Sequence, residues 1–516
     1  MSSRGVVAAG HPETAAAGAW ALREGGNAVD AAIAAVAASL AAESPLTGLG
    51  AGGYMLVHEP DSEPALLDFF VSAPGFGARP RRSELEPVEV DFGGTIQIFN
   101  VGAASCGVPG VPSGLADAAT GFGSMPLADL LAPGVRLARE GVEVNPQQAY
   151  LHEILAPILT RDAVGAGFYA PRGRTLAAGE RISFPELAET LELLGREGPE
   201  PFYRGAIAAA IADRVLEAGG SLAPEDLAAY ETIRRAPVRA RFRDREILTN
   251  PPPSSGGILI AFALEVLDRL GEAGTEALVA AMDEAQAART PEFLAGLYEE
   301  GFERRFLTPE AIAAAAERCR PLLGPGGGGQ PGSRLGSTTH ITAVDGDGGC
   351  ASVTCSNGTG SGIFVADTAI HLNNMLGEDD LNPFGFHATG PGRRMPSMMS
   401  PTVVLREGRL ELGLGSGGSN RIRSAITQTI VRYLAQGLDI AAAVSAPRVH
   451  AEAGVVHAEP GIEAAAIGRL GARGYETVSW EQPNLFFGGV HAVARGPDGT
   501  PRGAGDPRRG GAVAVT

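Results

Sequence analysis

Residues 321–344 read PLLGPGGGGQPGSRLGSTTHITAV, and two unlike pieces meet inside them. Residues 321–333 are the chain's densest run of glycine and proline, a composition that suits a linker and no packed element. From Thr339 onward THITAV alternates and is rich in β-branched residues, which predicts a strand. At the junction lies Gly336-Ser337-Thr338-Thr339-His340. Threonines opening a strand are structural in most proteins, but one chemical need gives this pair another reading. A threonine hydroxyl is a poor nucleophile without a base beside it, and its own free α-amine, with a reference pKa of about 7.7–8.0, can be that base. That amine exists only if the peptide bond before Thr338 is cut. A glycine-rich segment lets the chain bend so that the hydroxyl attacks the preceding carbonyl and then swings away.

Outward from the junction, the two sides differ in period. On the C-terminal side CASVTCS follows the turn DGDGG, and TVVL-REG-RLELGLG reads as a second hairpin. One strong helix is predicted over Asn420–Gly437, and the chain ends in two predicted hairpins, GVHAVAR-GPDGTP and GGAVAVT. On the N-terminal side two Ala-rich helices, Pro12–Glu24 and Ala28–Ala42, are separated by Gly25-Gly26 as a stop and Asn27 as the next N-cap. Gly52–Val57 and Ala65–Phe70 read as a hairpin, and from Pro126 to Arg318 the pattern is mostly helical, with a strand pair near Val238–Thr249. Strand-rich and helix-rich regions within one chain predict sheets covered by helices, an α+β layered architecture.

Composition removes several classes of function. Of 516 residues 44% are hydrophobic and 19% charged, the composition of a globular protein, and the net charge is −18. There is no lysine, so all 41 basic residues are arginine, which excludes a P-loop lysine and a pyridoxal Schiff base. An acidic chain without a basic block is not expected to bind nucleic acid or an anionic membrane, and Arg393-Arg394 and Arg508-Arg509 are only short pairs. Cys106, Cys319, Cys350 and Cys355 have no metal-ligand spacing and read as small buried hydrophobes. No cofactor or metal is called for. The first residues lack the 7–15-residue apolar run of a secretory signal, so a cytoplasmic location is the expectation. No G-x-S-x-G occurs, against an α/β-hydrolase, and Gly50-Ala51-Gly52-Gly53 precedes a strand rather than following one, against a dinucleotide loop.

Gly415-Ser416-Gly417-Gly418-Ser419 ends a strand and leads into the Asn420 helix, so its backbone N–H groups can converge where an oxyanion would form. A glycine turn present only for packing is the other reading. Nine separated stretches then resemble one family, in its order: GGNAVDAAIAA at 25–35, GLGAGGYML at 48–56, GVPGVPSGL at 107–115, EDLAAY at 225–230, PPPSSGG at 251–257, STTH at 337–340, HLNNM at 371–375, MSPTVVL at 399–405 and GSGGSNRI at 415–422. The chain resembles the gamma-glutamyltranspeptidase family of N-terminal-nucleophile hydrolases. The resemblance implies a four-layer αββα sandwich and a precursor that cuts itself between Ser337 and Thr338. The products would be a large subunit, 1–337, and a small subunit, 338–516, that form one catalytic unit. It further implies that Thr338 is the nucleophile, that Ser356 hydrogen-bonds it, and that the amides of Gly418 and Ser419 hold the oxyanion. Ser356 read without the family is a plain strand-end residue. Ser419 stands where the family has a second glycine, but an amide serves in either.

The resemblance thins around the acyl group of the substrate. The family's carboxylate-binding arginine, in a D-F-R pattern, falls on Phe70 of Asp68-Phe69-Phe70. The acidic or amide residue after L-N-N falls on Met375, with Leu376-Gly377-Glu378-Asp379 beyond it, and a paired serine becomes Ser397-Met398. Asn357, Asn374 and Ser397 remain as the expected polar substrate contacts. His340 is expected on a strand face rather than as a base. Arg393 and Arg394 are read as surface or loop-anchoring residues, with facing the substrate as the other possibility. The implied activity is transfer or hydrolysis of γ-glutamyl-type amides such as glutathione, the acyl group passing to water or to an amino acid or peptide. A related acylase acting on a glutaryl or other side-chain amide is the alternative, and a non-catalytic binding descendant is the third reading.

Overall fold

The computed structural model describes residues 5–91, 96–320, 338–496 and 498–516. The predicted linker 321–333 and the expected cleavage residue Ser337 lie outside the described residues.

Asn27 shows how closely the local signals translate. Its side chain accepts from the amides of Val29 and Asp30, and its own N–H donates to the Asp30 carboxylate, closing a reciprocal cap on the helix Ala28–Ala42. Asp30, the one charge in that Ala-rich stretch, is thereby the cap of a helix that is buried on every side. Small side chains let this helix lie against Pro12–Arg23 on one side and against the sheet below.

Two large sheets stack face to face. The first has seven strands in the order Ala512–Val515, Val6–Ala9, Thr339–Val344, Cys350–Ser356, Gly52–His58, Ala65–Phe69 and Ile233–Arg235. The second has six, in the order Pro501–Ala504, Gly489–Arg495, Arg409–Gly417, Thr402–Arg406, Arg245–Thr249 and Val238–Phe242. Helices Pro12–Arg23 and Ala28–Ala42 cover the outer face of the first sheet, and Ser255–Leu270 and Arg421–Leu434 cover that of the second. The architecture is a four-layer αββα sandwich of the N-terminal-nucleophile type. Period-two alternation divides each central strand between two cores. Ile341, Ala343, Met55 and Val57 pack toward the Ala28–Ala42 helix, whereas Val344, Tyr54 and Leu56 join the core shared with the six-stranded sheet.

Each of the two large sheets combines strands from before and after the 321–337 stretch, so neither part completes either of them alone. Val6–Ala9 lies between Thr339–Val344 and Ala512–Val515. Gly5 donates to the Thr516 hydroxyl at 2.9 Å, and the Thr516 N–H donates to the Gly5 carbonyl at 3.1 Å.

One expectation is corrected here. GGAVAVT does not form a hairpin with the strand before it; Ala512–Val515 crosses to the other sheet and pairs antiparallel with Val6–Ala9. An alternating four-residue strand fits any antiparallel partner, and its sequence carries no address for one. Several short strands have no signal strong enough to read in advance, among them Val6–Ala9 itself, the pair Glu86–Asp91 and Ile96–Val101, and the three-stranded sheet Val449–Glu452, Val455–Ala458 and Glu476–Ser479. No helix among the described residues is long and apolar enough to cross a membrane.

Candidate active site

Thr338 sits immediately before the strand Thr339–Val344, near the centre of the seven-stranded sheet and at its junction with the six-stranded one. The antiparallel register that pairs Thr339 with Cys355 sets Thr338 opposite Ser356, and the Thr338 hydroxyl donates to Ser356 Oγ at 3.2 Å. Ser356 Oγ also accepts from the Gly358 N–H at 2.9 Å, so two donors converge on one oxygen. Both hydroxyl residues are buried. A hydroxyl held this way cannot rotate freely, which is what an oriented nucleophile requires.

The turn that links the strand Arg409–Gly417 to the helix Arg421–Leu434 lies on the other side of Thr338. Gly418 has φ +121 and Ser419 φ +49, a reversal that a glycine takes easily and a serine does not. Three contacts hold it: Arg421 N–H to the Gly418 carbonyl and Ile422 N–H to the Ser419 carbonyl, both 3.0 Å, and Ser419 Oγ to Asp380 Oδ2 at 3.1 Å. Gly417 is packed so tightly that a Cβ there would stand 2.2 Å from the Thr338 carbonyl oxygen.

Two charged residues reach the Thr338-Thr339 pair from directions the sequence does not signal. Arg509 Nη1 donates to the Thr338 carbonyl at 3.2 Å. Glu43, at the end of the helix Ala28–Ala42, accepts from Thr339 Oγ1 at 2.5 Å and from Thr14 Oγ1 at 2.7 Å. Burial raises the Glu43 carboxyl above its ordinary range, and Arg509 and the two hydroxyl donors pull the other way. In the sequence Arg509 is half of a short basic pair, and no spacing rule links it to Thr338, 171 residues away.

Thr338 and Ser356 open into a cavity of about 40 Å³ whose wall is largely Phe70, Met375, Leu381, Met398, Met399 and Ile422. Its polar lining comes from Ser397, Ser419, Glu378 and Asp380, and no basic side chain lines it among the described residues. Burial, with Asp380 and Asp379 adding to it, pushes the Glu378 carboxyl up to about 8. Glu378 and Asp380 follow the HLNNM motif by a few residues, the one signal that points to this part of the chain.

Phe70, where the resemblance sets the family's arginine, stacks on Tyr54 with ring centroids 5.3 Å apart. Arg394 does not replace that arginine from elsewhere. Its guanidinium pairs with the buried Asp68 at 3.1 Å and lies over the Tyr230 ring at 4.4 Å, while Arg393 lies over Tyr298 at 4.1 Å on the outside. Both anchor the loop that precedes Ser397.

The expected substrate contacts divide. Ser397 lines the cavity and accepts from the Met399 N–H at 3.0 Å. Asn374 lies behind the wall instead, because its amide is taken by the loop it braces: Oδ1 accepts from Thr359 N–H, and Nδ2 donates to Thr359 Oγ1, both at 2.9 Å. Asn357 is wholly buried, its side chain packed toward Gly48 rather than lining the cavity. His340 is held between the sheets by Thr354 and Thr342, at 2.8 and 2.9 Å, and burial keeps its pKa well below the usual histidine value. The four cysteines are buried thiols, and among the described residues no cluster of His, Cys, Asp and Glu is placed to hold a metal.

The chain is similar to known proteins along nearly its whole length. A family model described as gamma-glutamyltranspeptidase matches residues 14–516. The chain is 33% identical to the acylase ACY 1 proenzyme of Pseudomonas sp. (strain V22), over 97% of this chain and 92% of that protein. It is 30% identical to the glutathione hydrolase proenzyme of Escherichia coli (strain K12), over 98% and 91% respectively. Among solved structures, cephalosporin acylase from Bacillus halodurans superposes with a TM-score of 0.85 at 28% identity, covering 99% of this chain and 96% of that one.

Proposed function

Because the chain belongs to the gamma-glutamyltranspeptidase family, a family of amide-cleaving enzymes, we propose that it is a self-processing threonine acylase whose acyl donor needs no carboxylate grip. In the precursor the Thr338 hydroxyl attacks the Ser337 carbonyl. The ester that results is hydrolysed, leaving 1–337 and 338–516 as the two subunits and a free amine on Thr338. In each later turnover that amine takes the hydroxyl proton while Thr338 Oγ attacks the substrate amide, with Ser356 orienting the hydroxyl. The N–H groups of Gly418 and Ser419 face the charge that develops on the carbonyl oxygen, a contribution of about 10²–10³ in rate per donor. The leaving amine carries the proton away, and water or an amine acceptor takes the acyl group from the ester.

The observation that carries the substrate reading is the wall around Thr338, where Phe70 offers apolar area in place of a guanidinium fork. The kinship with acylase ACY 1 and with cephalosporin acylase supports the same reading. Asp380 favours a second one, hydrolysis of γ-glutamyl amides, since a carboxylate in the cavity suits an α-ammonium. Glutaryl and butyryl anilides, which differ in the carboxylate alone, test for a carboxylate grip, and γ-glutamyl and glutaryl anilides, which differ in the ammonium alone, test the second reading. A buried charge-assisted hydrogen bond contributes about 1.5–3 kcal/mol, so without a clamp the pair should differ in kcat/KM by less than about tenfold, whereas a clamp adds about 10- to 100-fold. A preference on the order of a thousandfold for the glutaryl over the butyryl anilide would overturn the acylase reading, because it would require another residue to hold the carboxylate.

A further inference from the structure

The proposed mechanism needs the Thr338 amine neutral before each turnover, and an ordinary α-amine, with a pKa of about 7.7–8.0, is largely protonated at neutral pH. The surroundings of Thr338 bear on this directly. Arg509 touches the residue that carries the amine, through its carbonyl at 3.2 Å, and its guanidinium also packs against the Gly417–Gly418 turn. We propose that Arg509 is the residue that keeps the Thr338 amine unprotonated at neutral pH, by placing a fixed positive charge beside it. The proposal rests on the reading of Thr338 as nucleophile and base.

The other charges facing Thr338 oppose Arg509 weakly. Glu43 touches the neighbouring Thr339, not Thr338, spreads its charge over two hydroxyl donors, and is drawn toward neutrality by burial. Across the cavity Glu378 is pushed up to about 8 and is mostly uncharged at neutral pH, and the charge of Asp380 is offset by Arg421 and Arg423. Behind Arg509, His491 is pushed down to about 4 by burial and is neutral, and Asp506 is matched by Arg448 at 2.6 Å and Arg508 at 3.1 Å. A cation beside an amine disfavours the ammonium form, so the sign is a lowered pKa. The arginine itself stays charged at neutral pH even though burial brings it down to about 10.

The experiment is the pH dependence of kcat/KM, which reports the free enzyme's groups, for the processed wild type, Arg509→Met and Arg509→Lys. Each is measured also in a Glu378→Gln background, which removes the other group titrating near this range. The wild-type acid limb is expected below about 7.7, Arg509→Met should move it up by about one pH unit, and Arg509→Lys should leave it within about 0.3 unit. The midpoint is read independently of any loss in the plateau, a shift that a merely structural arginine would not produce. A wild-type limb at or above about 7.7 overturns the proposal even if the methionine variant fails to fold or to process, and so does a processed methionine variant with the wild-type midpoint. Failure of the underlying reading is distinct, because Thr338→Ala would then retain activity whatever the arginine variants do.

Discussion

Thr338→Ala should remain a single 516-residue chain and lose amide hydrolysis by on the order of 10⁴-fold or more, as expected when a nucleophile that also supplies the base is removed. Wild-type protein on a denaturing gel should show two chains, 1–337 and 338–516. In the proposed mechanism the two effects have one cause, since the hydroxyl that cuts the precursor is the hydroxyl that attacks substrate, and the amine it needs appears only after the cut. Wild-type protein that stayed in one piece while turning over an amide would end the mechanism. Protein that neither cut itself nor turned over any acyl amide would favour the non-catalytic reading. The fold alone would not distinguish these outcomes, because the buried contact between Thr338 and Ser356 would serve equally as packing.

Gly417→Ala should be nearly as damaging, although it adds one methyl group and removes nothing. A Cβ at that position meets the Thr338 carbonyl oxygen at 2.2 Å and Arg509 Nη1 at 3.1 Å. Both distances fall below ordinary van der Waals contact, and the first is to backbone, which cannot swing aside as a flexible side chain does. Either the nucleophile strand or the Gly418–Ser419 turn must move by roughly an ångström, and misplacement of that size costs on the order of 10²-fold in rate. The loss should fall on kcat, with KM little changed, because the cavity wall lies elsewhere. Cleavage of the precursor should slow in parallel. A variant with kcat within about threefold of wild type would show that Thr338 and the turn are not held against each other as tightly as their spacing implies.

What the sequence conveyed follows from the range over which each signal acts. The helix Ala28–Ala42 and its Asn27 cap are written in four consecutive side chains and a period, and they could be read to the residue. The strands Thr339–Val344 and Cys350–Ser356 were legible for the same reason, and their register brings Thr338 to Ser356. Choices between distant partners were not legible. Ala512–Val515 alternates like any edge strand, and only the folded chain selects Val6–Ala9 for it. Asn374 and Asn357 look like ligands because they are polar and adjoin family motifs, yet which way an amide points depends on groups such as Thr359 that sequence cannot orient. Glu43 and Arg509 escaped notice because their chemistry comes from position beside Thr338 and from burial, neither of which a single acidic or basic letter displays.

The pairing of Gly5 with Thr516 has a use in protein engineering. Residues hydrogen-bonded at neighbouring strand ends can be joined by a short connection without disturbing the sheet, the situation in which circular permutation succeeds. A permuted gene would begin at Thr338, run to Thr516, cross that connection to Gly5 and continue to Arg320. Once the initiator methionine is trimmed, this chain would carry a threonine amine from birth. It should then hydrolyse amides with no self-cutting step, so that catalysis and maturation, which share one hydroxyl in the proposed mechanism, become separable in the permuted chain.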